Sequence, residues 1–93
     1  MGISDTHLTI VGDALGVCTC YILDGRFHFM VSGTESVAIR GESGQRVRVS
    51  LYDGSNRTER TVGWAFDGQA DRLRSLVQEA SALAVRRDAI THR

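Results

Sequence analysis

Short runs rich in β-branched and aromatic residues alternate with breaks containing Gly, Asp and Ser: VGDALG, LDGR, VSGTES, RGESGQ, YDGSNRTE and FDGQ. Runs of this kind bounded by such breaks predict consecutive antiparallel strands, here at residues 6–12, 15–23, 26–32, 36–41, 45–52 and 59–66. After Asp67 the period changes. Ala70, Leu73, Leu76, Val77, Ala80, Leu83 and Ala84 recur at steps of three and four, with Arg72, Arg74, Gln78, Glu79 and Arg86 on the other side, so an amphipathic helix is predicted over 68–87. Asp67 or Gly68 can cap its start, Asp71 suits the positive end of its dipole and Arg86 and Arg87 the negative end. Residues 88–93 read as a frayed tail. The expected fold is α+β: an antiparallel meander of six strands, strongly twisted or partly barrelled, then one C-terminal amphipathic helix packed on it, in a single domain spanning 1–93.

The turns set which side chains share a face. Asp24-Gly25 between two alternating runs predicts a two-residue hairpin that pairs Leu23 with Arg26, Ile22 with Phe27 and Tyr21 with His28. Counting on from there puts Cys18, Cys20, Ile22, Phe27, Phe29 and Val31 on one face, the expected core face, and Thr19, Tyr21, Arg26, His28 and Met30 on the other. In VAIRGESGQRVRV a three-residue loop, Glu42-Ser43-Gly44 with Gly44 left-handed, opposes Ile39 to Val47 and Val37 to Val49 and keeps both faces chemically consistent. Val62, Trp64 and Phe66 alternate on the last strand and are expected under the helix stripe.

Cys18 and Cys20 are too far apart on one strand face to bridge, since such residues lie about 6.6 Å apart and a disulfide wants Cβ atoms about 4 Å apart. Reduced cysteine behaves as a small buried hydrophobe, so core packing is their expected role. A metal site would need further ligands. The hairpin sends His28 to the other face, leaving His7 as the one neighbour that could join Cys18 and Cys20 if the first turn were two residues long. A three-residue turn extends the apolar face instead and avoids burying His7 and Asp5, so no metal ligands are assigned.

Bulk composition narrows the classes. Ninety-three residues with 42% hydrophobic and 24% charged residues fit one small globular domain. All eleven basic residues are Arg, which excludes lysine nucleophiles and Schiff bases, and they balance eleven acids. No global field therefore recruits nucleic acid or an anionic membrane, and a formal charge near zero favours self-association. There is no charged segment leading into an apolar run at the start and no run of apolar residues long enough to span a bilayer; a cytoplasmic location with reduced thiols is expected. No nucleotide-binding glycine motif or G-x-S-x-G elbow occurs, the three histidines are scattered, and the NRT at 56–58 reads as loop rather than glycosylation site. No cofactor and no catalytic residue is assigned.

Two surfaces remain. The face opposite the cysteines carries Val17, Tyr21, Leu23 and Met30, which one helix cannot cover if it packs on the other side; the sheet must curl over it or a partner must meet it. Arg40, Arg46 and Arg48 share the polar face of the next hairpin and could bind an anionic group, although no aromatic is expected among them, as a single-strand nucleic-acid binder would require. The leading expectation is a non-enzymatic protein-interaction module, a homo-oligomer or the partner of another protein, using Val17, Tyr21, Leu23 and Met30. The alternatives are binding of nucleic acid or a phosphorylated ligand through Arg40, Arg46 and Arg48, and thiol or metal chemistry at Cys18 and Cys20. No membrane partner is expected.

Overall fold

A computed structural model describes the backbone of residues 2–91 and the side chains of residues 2–84. The element order is α1 (Asp5–Leu15), β1 (Tyr21–Leu23), β2 (Arg26–Met30), β3 (Glu35–Glu42), β4 (Arg46–Asp53), β5 (Thr58–Phe66) and α2 (Ala70–Thr91). The strands form one antiparallel sheet in the order β1-β2-β3-β4-β5. The fold is thus α+β with an antiparallel meander and a C-terminal helix, as expected, but with five strands and a second helix at the N-terminus.

The run at 6–12 is helical because its ends are built as helix ends. Ser4 is the N-cap: its hydroxyl accepts from the His7 backbone N–H, and His7 Nδ1 accepts from the Ser4 backbone N–H at 3.0 Å. This is a capping box with His in the place usually held by Glu or Gln. Gly16, at φ 68°, closes the other end in the left-handed conformation. Between them His7 and Val11 are buried, with Leu8, Ile10, Ala14 and Leu15 half-buried, a helical spacing that the β-branched residues of LTIV disguise. The expected strand at 15–23 shrinks to Tyr21–Leu23, because Gly16–Cys20 is the connection back from α1.

Both helices lie on the same side of the sheet. Val37, Ile39, Val47, Val49 and Ala65 meet Leu73, Leu76, Val77 and Ala80 of α2, with Val11 of α1 and Phe29 completing the core. Burying side chains of this size contributes roughly 1.5–3 kcal/mol each. The stripe expected on α2 is its buried face at Leu73, Leu76, Val77, Ala80 and Ala84, while Ala70 is exposed and Leu83 half-buried. The helix runs on to Thr91, past the expected end at 87, and begins at Ala70; the expected pairing of Arg86 and Arg87 with its C-terminus falls outside the described side chains.

Strand register corrects two expectations. The first hairpin pairs as read: Leu23 with Arg26, Ile22 with Phe27, Tyr21 with His28. In the β3–β4 hairpin the loop has three residues but consists of Ser43-Gly44-Gln45, so Ile39 faces Val49, Val37 faces Leu51 and Arg40 faces Arg48. Gln45 takes a left-handed φ of 57°, and its carbonyl accepts from the Asp67 N–H at 2.8 Å. The slip is two residues, which changes partners and preserves faces. On β5 the faces are reversed: Trp64 faces Arg48 and Phe66 faces Arg46, away from α2, and Gly63 and Ala65 point at the helix. The cause is proximity, since a Cβ on Gly63 would sit 2.8 Å from Leu76 Cδ2. Val62 is the extra residue of a bulge between the Val49–Gly63 and Ser50–Thr61 pairs.

The edge of β5 that faces away from β4 is occupied near its end. Arg72 donates to the Trp64 carbonyl at 3.0 Å, Gln69 Oε1 accepts from the Phe66 N–H at 2.9 Å, and the Gln69 N–H donates to the Phe66 carbonyl at 3.0 Å. The opposite edge strand, β1, is only three residues long. No helix among the described residues is long and apolar enough to cross a membrane.

Candidate functional site: the helix-free face of the sheet

The side of the sheet without helices is not flat. Arg26 opens β2 and Glu59 lies near the start of β5, with two strands between them and at opposite ends of the sheet, yet they form a bidentate ion pair with both bonds at 2.9 Å. Twist and curl bring these diagonal corners together over the face. Beneath them His28, Ser36, Ala38 and Ser50 are each 1% exposed, although no helix covers them. The expected choice between a curled sheet and an open face resolves by position: the middle closes on itself and the two flanks stay uncovered.

The closed middle is polar and self-satisfied in part. His28 stacks under Tyr21 at 4.9 Å between ring centroids and 8° between planes, meets Tyr52 edge-on at 5.0 Å, and shares a 2.9 Å hydrogen bond between Nδ1 and Ser36 Oγ. Its Nε2 is buried without a partner. Burial holds the His28 imidazole below its ordinary pKa near 6.5 and the Arg26 charge adds to this, while the Leu23 backbone and the carboxylates of Glu59 and Asp24 pull the other way. His28 and Ser36 thus form a hydrogen-bonded pair that is 1% exposed on the helix-free face.

One flank runs along β1 and β2. Tyr21, Leu23 and Met30 lie there, each about two-fifths exposed. Val17, expected with them, packs half-buried against the core between α1 and the sheet and leaves this surface.

The other flank spans β3, β4 and β5, where two adjacent cross-strand rows read Arg40, Arg48, Trp64 and Glu42, Arg46, Phe66. Glu42 organises them. Its carboxylate pairs with Arg48 and, at 3.6 Å, with Arg46, and accepts from the Trp64 indole N–H at 2.8 Å. The guanidinium carbons of Arg46 and Arg48 stand 5.9 and 5.8 Å from the centre of the Trp64 ring. Arg40 is exposed and has no ion-pair partner among the described residues, and Arg48 Nε is buried without an acceptor. The structure thus brings the three expected arginines together and adds the aromatics that the sequence placed under the helix. The signal for this lay in the small residues Gly63 and Ala65, whose size fits a close helix better than Trp64 and Phe66 do.

The cysteines are not in the core. Cys18 and Cys20 are exposed, because the chain from Gly16 to Cys20 is a connection rather than a central strand, and they open onto a groove of about 550 Å³ with Leu8, Val17 and Phe29. His7 is elsewhere, so the suggested grouping of His7 with Cys18 and Cys20 does not form, and no cluster of three or more metal-ligating residues exists among the described residues.

A cleft of about 320 Å³ lies between the first turn of α1, the end of β5 and the start of α2. Along its wall His7 Nε2 is 3.5 Å from Asp67 Oδ1 and His7 Nδ1 is 3.1 Å from Ser4 Oγ, a sequence of groups resembling a hydrolytic triad. The Nδ1 lone pair already receives the Ser4 backbone N–H, so it is not available to take the hydroxyl proton, and the arrangement serves the helix cap.

No family model matches the chain, and no curated protein or solved structure is significantly similar to it.

Proposed function

We propose that this chain is a non-enzymatic protein-interaction module that self-associates through the strip of Tyr21, Leu23 and Met30 on the helix-free face of the sheet. The observation that supports it is the distribution of exposed apolar bulk. Of the six large hydrophobic side chains exposed among the described residues, five (Tyr21, Leu23, Met30, Trp64 and Phe66) share this one face, and only Ile22 lies on the other. Scattered exposed apolar residues need no explanation, but their segregation to one side marks a contact surface. The strip itself carries no charge, and the chain has no net charge to oppose pairing of two copies.

The test is solution mass by light scattering over a concentration series, for wild type, Tyr21→Asp and Leu23→Asp. A wild-type dimer converted to folded monomer by either substitution supports the reading. Leu23→Asp guards against a folding defect, because Tyr21 also covers His28. A wild type that stays monomeric at every concentration overturns it.

A further inference from the structure

The flank formed by β3, β4 and β5 differs in chemistry from the Tyr21 strip, and we infer that it is a docking site for an acidic segment of another protein, one that carries apolar side chains beside its carboxylates. This goes beyond the self-association proposed above and uses different residues.

Charge selects the occupant. Arg40, Arg46 and Arg48 against the single carboxylate of Glu42 leave this flank with two positive charges on a chain whose formal net charge is zero. Arg40 stands directly across the ladder from Arg48, a like-charged pair that a sheet tolerates at a cost and that an incoming carboxylate relieves. Glu42 fixes Arg48 and the Trp64 indole in place before any ligand arrives, so little side-chain freedom is lost on binding. Beside these groups Trp64 and Phe66, 39% and 54% exposed, offer apolar area that a bare carboxylate does not use. The same charge argues against a second copy here, because two copies meeting through this flank would bring positive against positive. Nucleic acid is matched less well, because a phosphate backbone wants a track of several free cations, whereas Arg40 and the surplus of two charges are enough for a segment that carries a few carboxylates beside apolar side chains.

Trp64 is the only tryptophan in the chain, so its emission reports on this flank alone. The experiment is a fluorescence titration of the full chain with three probes: a synthetic peptide alternating Glu with Leu and Phe, the same peptide with Lys in place of Glu, and an oligothymidylate. The expected result is a saturable change with the acidic peptide only, weakened by added salt, and weakened about tenfold in Arg40→Glu. Arg40 is exposed, so this variant should keep the wild-type circular dichroism. Leu23→Asp, which leaves the Tyr21–His28 stack in place, should titrate like wild type, which separates this inference from the dimer reading. No saturable change with the acidic peptide, equal binding of the Lys peptide, stronger binding of the oligonucleotide, or an affinity unmoved by Arg40→Glu would each overturn it.

Discussion

At the scale of single residues, His28 is a titratable side chain held out of water, 1% exposed on the helix-free face. Its imidazole is buried beneath Tyr21, and burial, the largest cause, depresses the pKa of the folded form below 6.5. A histidine kept neutral by the fold takes up its proton more readily in the unfolded chain, so stability is full above the unfolded value near 6.5 and declines as pH falls through that value toward the folded one. The melting temperature of wild type should therefore drop between about pH 7.5 and about pH 5.5, and the drop should be shallower in His28→Gln. Equal slopes in thermal melts of the two proteins would show that His28 contributes no proton linkage. Much of this site could be counted from the sequence, since the Asp24-Gly25 turn already set Tyr21 opposite His28. Its burial could not, because nothing in the alternation of β1 and β2 announces that Arg26 will reach Glu59 on a strand not adjacent to its own.

At the scale of elements, the sheet is governed by how closely α2 approaches it. A side chain at Gly63 would meet the Leu76 methyl at 2.8 Å and must displace it within the packed face of α2: Gly63→Val is expected to cost about 1–3 kcal/mol in urea denaturation. The same crowding explains why the sequence misled about β5. Val62, Trp64 and Phe66 are the large members of the alternation, and hydrophobicity alone sends them inward. Val62 does pack against the core, but beyond it volume sends Gly63 and Ala65 inward in place of Trp64 and Phe66, and the bulge at Val62 is where β5 changes phase. For α1 the obstacle was local. LTIV has strand propensity, and a capping box that uses His7 lacks the usual acidic or amide residue, so the helix is visible only through the joint effect of Ser4, His7, Val11 and Gly16. By contrast β2 to β5 and α2 were legible within a few residues at each end, because turn chemistry and period there point the same way. The three arginines came out together because a register slip of two residues leaves faces intact.

At the scale of the whole molecule, the Arg26–Glu59 bridge ties the two halves of the sheet across its helix-free face. Both side chains are 21% exposed, enough for salt to reach them but sheltered enough for the pair to count. A double-mutant cycle with Arg26→Ala and Glu59→Ala should return a coupling of about 1 kcal/mol that shrinks with added salt; a coupling near zero would mean that the curl holds without it. The exits along the sheet's edges have a different consequence. With Trp64 and Phe66 already bonded to Arg72 and Gln69, and β1 only three residues long, the end of β5 and the β1 edge offer little template for adding strand to strand. The self-association proposed above, through the Tyr21 strip of the helix-free face, is of the face-to-face kind, and a two-fold pairing of that sort uses each surface once and so predicts a closed pair in place of a fibre.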